Sequence, residues 1–238
     1  MFDIHTHILP GIDDGSKSLE VTRQMLEIME EEGITSVMAT PHYDMGRNRQ
    51  DINKIRELAA KVSDMISKDF PSMELYTGCE ILYSAGIIED IDKGRIPMLA
   101  DTKCCLVEFY PEDSFKTIRN AVRDLINEGL TPIIAHAERY ECLYEDLERV
   151  YVLIKEGAYI QINTASFEGG LFSKTRKFVM KLLKANMVHF VGSDCHDTED
   201  RRPKMKKCYE IIKKAVGERA AKAITEENAK LIVSGKYL

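Results

Sequence analysis

The chain has 238 residues, 44% of them hydrophobic, and a formal charge of −6. That length suits one α/β barrel domain of about 200 to 250 residues, and no linker divides residues 1–238. The acidic balance, with one basic stretch at Arg201-Arg202-Pro203-Lys204-Met205-Lys206-Lys207, argues against a general nucleic-acid binder.

The first apolar run, Phe2-Asp3-Ile4, carries His5 and His7 at its end and leaves no room for a signal peptide. With no run of the ~18 apolar residues a membrane span needs, the expectation is a soluble, cytoplasmic protein without a direct membrane span. Val21, Met25, Ile28 and Met29 then share one helical face, with Ser18 as cap and Gly33 as stop. Ser36-Val37-Met38-Ala39 leads to His42. The next helix keeps a three-and-four rhythm through Ile52, Ile55, Leu58, Ala59, Val62, Met65 and Ile66, between Asp51 and Pro71. Glu80 closes the run Glu74 to Cys79, and Glu108 lies in Cys104 to Phe109. Further helices are predicted at Phe115 to Asn127, Asp146 to Lys155, Thr175 to Ala185 and Pro203 to Ala215, with apolar runs at Thr131 to Ala135, Ala158 to Ile162 and Met187 to Val191. His136 ends the first of these runs, and Asp194 and His196 follow the last; the middle one ends in Gln161-Ile162-Asn163, which predicts a strand that lines the pocket without holding metal. Ile224 to Gly235 reads as a helix packing beneath the sheet or at an interface.

Seven runs alternating with helices predict a parallel sheet. Metal-competent groups end six of them, from the first to the last. An open doubly wound sheet gathers its ligands at one switch point, whereas a barrel rim collects side chains from every strand. A closed barrel with a polynuclear metal site is therefore expected. Each group taken alone has a plainer explanation, such as a turn histidine after Pro41 or salt-bridged carboxylates at Glu80 and Glu108. So many plain roles would not coincide at the carboxyl ends of successive strands. His189 stands outside the set.

The six cysteines have no regular spacing and no Cys-x-x-Cys pair, so neither a disulfide framework nor a thiolate zinc site is expected. Cys195 and Arg201 match the Cys-x5-Arg spacing of thiol-dependent tyrosine phosphatases. Asp197, Glu199 and Asp200 would then stand where a phosphate dianion must sit, so a thiol mechanism is rejected.

Asp3 to Ser16, Ala39-Thr40-Pro41-His42-Tyr43, Ile134 to Tyr140 and Gly192-Ser193-Asp194-Cys195-His196 resemble the polymerase and histidinol phosphatase (PHP) superfamily. More narrowly, they resemble its bacterial metal-dependent protein-tyrosine phosphatases, associated with capsule and exopolysaccharide synthesis. The resemblance runs from Asp3 to Glu227-Asn228-Ala229 and implies a distorted seven-stranded, TIM-like (β/α) barrel of the PHP fold. It implies one metal between His5, His7, Glu80 and Asp194, a second sharing Glu80 with Glu108 and His136, and a third held by Asp14, His42 and His196. It also implies manganese, Mn2+; the nitrogen and oxygen donors themselves leave iron, zinc or magnesium open. Arg139 and Arg201 are implied as phosphate-binding forks.

Such a cluster can activate water to hydroxide for attack on phosphorus without a protein nucleophile. The expected substrate is a phosphotyrosine protein, such as a bacterial tyrosine kinase with a tyrosine-rich tail that controls polysaccharide synthesis. The alternatives are a small-molecule phosphatase acting on a compound such as histidinol phosphate, and a non-catalytic metal-binding regulatory module. Substrate choice is expected in the loops Tyr43 to Gln50, Tyr83 to Arg95, Tyr110 to Phe115 and Phe167 to Ser173.

Overall fold

The computed structural model describes residues 1–47, 49–144, 146–168 and 173–238. In chain order the elements are β1 (Phe2–Thr6), α1 (Leu19–Glu31), β2 (Ser36–Ala39), β3 (His42–Tyr43), α2 (Ile52–Asp69), β4 (Glu74–Thr77), β5 (Glu80–Leu82), α3 (Ile87–Asp92), β6 (Cys104–Glu108) and α4 (Phe115–Asn127). They continue with β7 (Thr131–Ile134), α5 (Leu147–Lys155), β8 (Tyr159–Asn163), α6 (Lys174–Lys184), β9 (Phe190–Gly192), α7 (Lys206–Val216), α8 (Glu218–Lys222) and α9 (Asn228–Val233), the last two joined by a π turn. Every strand pair is parallel.

The pairing departs from the expected single seven-stranded sheet. A three-stranded sheet runs β1-β2-β4, and a six-stranded sheet runs β3-β5-β6-β7-β8-β9. The second and third apolar runs are each broken once, side by side, so that β2 pairs with β4 below the break and β3 with β5 above it. Pro41, at the break, has no N–H for the ladder. Gly78, opposite, passes so close to Leu99 that a Cβ there would stand 2.6 Å from its side chain. Backbone bonds still cross the gap, from Gly78 N–H to Ala39 O at 2.9 Å and from Glu80 N–H to Pro41 O at 3.1 Å. At the far edges the first and last strands touch, where Asp194 N–H donates to His5 O and His7 N–H to Cys195 O. The result is a curled parallel α/β sheet.

Local chemistry starts the helices where expected. Ser18, Asp51 and Ser114 accept backbone N–H bonds in the first turns of α1, α2 and α4. α2 buries Ile55, Leu58, Ala59, Val62 and Ile66 along one stripe. α7 starts three residues after the predicted Pro203, because its cap comes from elsewhere: Glu32 Oε2, just past α1, accepts the N–H groups of Met205 and Lys206. α3 has no counterpart among the predicted helices. Its buried Asp90 fixes the adjoining loops by accepting from Tyr43, Arg49 and Arg95. The C-terminal segment packs beneath the sheet, with Ala229 and Ile232 in one apolar cluster with Phe2, Ile4, Ile133 and Phe190. No helix among the described residues is long and apolar enough to cross a membrane.

Candidate metal centre

The strand ends carry nine groups to one small volume. His5 is the penultimate residue of β1 with His7 just beyond the strand, His42 opens β3, Glu80 opens β5, and Glu108 ends β6. His136 follows β7 and Asp194 follows β9, both with left-handed backbone, φ 31° and φ 54°. Such a conformation costs an L-residue roughly 1 to 3 kcal/mol and is kept where the surroundings impose it.

Three groups of ligand-type atoms result, each with its atoms within 4.8 Å of one another: His5, His7, Glu80 and Asp194; His7, Asp14, His42 and His196; and His42, Glu80 and Glu108. His5 Nε2 and His7 Nε2 face each other at 3.2 Å, and Asp194 Oδ1 stands 3.6 and 3.4 Å from them. Glu80 Oε2 lies 3.1 Å from His5 Nε2, 3.3 Å from His7 Nε2 and 3.1 Å from His42 Nδ1. It makes a hydrogen bond of acceptable geometry with none of them, and His196 Nε2 is likewise buried without a partner. A buried carboxylate oxygen left unbonded among imidazole nitrogens is costly as it stands. Lone pairs converging on one point are what a cation requires, so the donors fit a metal.

The grouping differs from the expected partition. Glu108 Oε1 pairs with His42 Nδ1 at 3.1 Å, while His136 Nε2 sits 2.8 Å from Glu80 Oε1 and 3.7 Å from Glu108 Oε2. His7 belongs to two groups rather than one. Asp14 Oδ1 reaches His42 Nε2 at 3.4 Å and His196 Nε2 at 3.3 Å, as the third set anticipated.

A second layer aims the rings: Gln161 and Asn163 end the strand expected to line the pocket without holding metal, and Asp13 is the member that the sequence reading missed. His7 Nδ1 donates to Asp13 Oδ2 at 2.8 Å, which leaves Nε2 with its lone pair toward the cluster. Burial opposes ionisation of Asp13, but the His7 ring and the N–H groups of Gly15 and His42 outweigh it and hold the carboxyl down at about 2. Gln161 Oε1 accepts from His5 Nδ1 and from the His136 backbone. Asn163 Nδ2 donates to Asp194 Oδ2 at 2.8 Å. Neither side chain is among the grouped ligand atoms, yet both position them. For Asp13 the available signal was the Asp13-Asp14 doublet, since adjacent carboxylates on a turn face different ways.

The electrostatics belong to a crowd of opposed charges. Burial disfavours charge on His42, but Glu108 and Glu80 overcome it and raise the imidazole to about 10. His196 moves the other way, down to about 4, through burial and the neighbouring His7. Glu80, despite burial, is held well below the carboxylate range by the histidines around it. Arg139 Nη2 donates to Asp194 Oδ2 at 2.7 Å and Arg201 Nη2 to Asp194 Oδ1 at 3.0 Å, so both guanidinium forks border the cluster. Cys195 is fully buried, and burial together with Asp3 pushes its thiol well above the usual range, which suits an inert thiol rather than a nucleophile. His189 stays apart, its Nδ1 accepting from Ile160 N–H. Of the expected substrate loops, Asn48 in the first and Gly169 to Phe172 in the last lie outside the described residues.

Residues 1–234 match the family described as capsular polysaccharide synthesis, CpsB/CapC. The chain belongs to the CpsB/CapC family. Its curated relatives include the tyrosine-protein phosphatase CpsB of Streptococcus pneumoniae, 32% identical with both chains fully covered. The tyrosine-protein phosphatase YwqE of Bacillus subtilis is 30% identical, over 100% of this chain and 93% of that one. A crystal structure from work on YwqE of Bacillus subtilis and CpsB of Streptococcus pneumoniae, described as unique metal-dependent tyrosine phosphatases, superposes with a TM-score of 0.92 at 29% identity, covering 100% and 96% of the two chains. The histidinol phosphate phosphatase of Lactococcus lactis, solved with zinc, L-histidinol and phosphate, shares the fold at a TM-score of 0.62 and 14% identity, over 91% and 95% of the chains. The CpsB/CapC member described here therefore sits among metal-dependent phosphatases.

Proposed function

We propose that this CpsB/CapC chain is a metal-dependent protein-tyrosine phosphatase that hydrolyses phosphotyrosine on protein substrates. The observation that carries the reading is Glu80 Oε2, unbonded among three imidazole nitrogens, in a chain whose full-length relatives are tyrosine phosphatases. Cations would be held by His5, His7, Glu80 and Asp194, by His42, Glu80 and Glu108 with His136 beside them, and by His7, Asp14, His42 and His196. With no thiolate among the donors, manganese is our choice, ahead of iron, zinc or magnesium. When bound, such cations supply a water of lowered pKa and positive charge beside the phosphate.

The chain's own residues do the rest. Asp13, Gln161 and Asn163 hold the donors in position. Arg139 and Arg201 present further N–H groups to phosphate oxygens, a role suited to planar forks because phosphoryl transfer depends on positioning and charge stabilisation. A tyrosinate leaving group, whose phenol has a pKa of about 10, needs less acid assistance than an alkoxide.

The physiological substrate we favour is a bacterial tyrosine kinase governing capsule synthesis, in line with the family's description. The six cysteines are free thiols, as a reducing cytoplasm would keep them. We further read residues 1–238 as one domain. Counting β2 with β3 and β4 with β5 as two interrupted strands gives seven, and the bonds between His5, His7, Asp194 and Cys195 favour closure into a distorted PHP-type barrel.

The test is metal-stripped protein reloaded with manganese and assayed in parallel on a phosphotyrosine peptide, a phosphoserine peptide and histidinol phosphate. Metal-dependent turnover of the phosphotyrosine peptide above the other two supports the proposal. Faster turnover of histidinol phosphate would make the enzyme a metabolite phosphatase, and no turnover of any would leave a regulatory metal module.

A further inference from the structure

Beside the cluster lies a separate cavity of about 90 Å³ that shares with the nine candidate ligands only Asp194. Arg139 and Arg201, which both bond Asp194 of the cluster, line it. Arg202 and Lys204 line it as well, and neither has a carboxylate or hydrogen-bond partner among the described residues. Of the charged groups around it four are cations, and the two carboxylates are Asp194 and Asp200. Asp194 is already engaged by both arginine forks. The cavity therefore carries an excess of two positive charges facing a small concave space.

The segment that supplies these cations is held in shape. Asp197 Oδ1 accepts the N–H groups of Glu199 and Arg201, and His196 N–H donates to Arg201 O. Pro203 between the two cations is buried, and Glu32 ties down the chain immediately after Lys204. Ser193 and Thr164 add hydroxyls to the lining. The backbone that carries the two cations is thus fixed, and only their side chains need order when an anion binds.

We propose that this cavity is a subsite for a side-chain carboxylate of the substrate, an aspartate or glutamate neighbouring the phosphotyrosine. The inference rests on the phosphotyrosine reading and extends it to substrate sequence. Charge and reach select the ligand: the concave space of about 90 Å³ is open to solvent and admits a carboxylate head beside the cations. Because Arg139 and Arg201 line the same cavity as Arg202 and Lys204, a carboxylate held there lies next to the phosphate-binding forks.

The experiment measures kcat/KM of the manganese-loaded enzyme on four phosphotyrosine peptides differing at one flanking position, with glutamate, glutamine, lysine or a second phosphotyrosine. The wild-type enzyme is expected to favour glutamate over glutamine about tenfold, equivalent to ~1.4 kcal/mol. In R202Q/K204Q that ratio falls to about parity, and in R202E/K204E a lysine peptide overtakes the glutamate one. Raising salt should shrink the wild-type ratio, because cations at a solvent-open site are screened, and this arm needs no folded variant. A wild-type ratio near one, or a ratio that survives in folded R202Q/K204Q, overturns the subsite. A second phosphotyrosine outperforming glutamate overturns the carboxylate assignment. Failure of the phosphotyrosine reading is distinct: every peptide would then be a poor substrate beside histidinol phosphate.

Discussion

The inner and outer parts of the candidate centre use the same residue types in opposite surroundings. His5, His7, Glu80 and Asp194 are at most 3% exposed, whereas the Asp14 side chain is 63% exposed and that of His42 23%. Water can solvate Asp14 when no cation is present. It cannot reach Glu80 Oε2, which must find its counter-charge inside the protein. The difference suggests a division of labour between a tightly held inner cation that organises the strand ends and an outer one that exchanges more freely.

The largest expected effect breaks the inner part. His5→Ala or Asp194→Ala should lose bound metal and lower turnover by more than about a hundredfold, since one substitution strands the remaining buried charges. Asp14→Ala should remove about one cation and leave the inner one in place. Metal content by mass spectrometry alongside kinetics checks the contrast; equal metal loss in all three variants would erase the distinction between inner and outer sites.

Next come the arginines. Arg139→Ala and Arg201→Ala each delete a charge-assisted fork worth about 1.5 to 3 kcal/mol, so kcat/KM on a phosphotyrosine peptide should fall roughly ten- to a hundredfold. Metal content should stay near the wild-type value. Unchanged rates in both variants would remove them from phosphate binding.

The smallest effect concerns protons. In the metal-free protein His42 is raised to about 10, so its stabilising contribution is fully present below its unfolded value near 6.5 and is lost as pH rises through about 10. His196, lowered to about 4, behaves oppositely: it costs stability as pH falls from about 6.5 toward 4. A cation taken by His42 must displace its proton, so affinity should weaken about tenfold per pH unit of acidification for each proton released. Calorimetry in buffers of different ionisation enthalpy measures that release directly, and none at pH 7 would contradict it.

Much of this arrangement was legible in the residues because it is local. Ser18 and Asp51 mark helix starts by their hydrogen-bonding chemistry, and the helix predicted at Phe115 to Asn127 has those bounds in the structure. The alternation of runs and helices implied a shared strand-end face, and eight of the nine candidate groups converge there, with His136 beside them at 2.8 Å from Glu80. What depends on distant geometry was not legible. The break at Pro41 and Gly78 needs Leu99 pressed against the backbone, and the α7 start needs Glu32. Whether Glu108 takes His42 or His136 depends on the curl of the sheet, which residue spacing does not encode. Asp13 escaped notice because its role is to orient another side chain, and Gln161, expected in the pocket lining, carried no sign of the rings it holds.

Several cations held at one place by these strand-end histidines and carboxylates would give the protein its chemistry. Anomalous diffraction from crystals grown with manganese tests it most directly. Peaks are expected among His5, His7, His42, Glu80, Asp194 and their partners, one of them within bonding distance of Glu80 Oε2. Peaks confined to other parts of the surface, or none at saturating manganese, would contradict it.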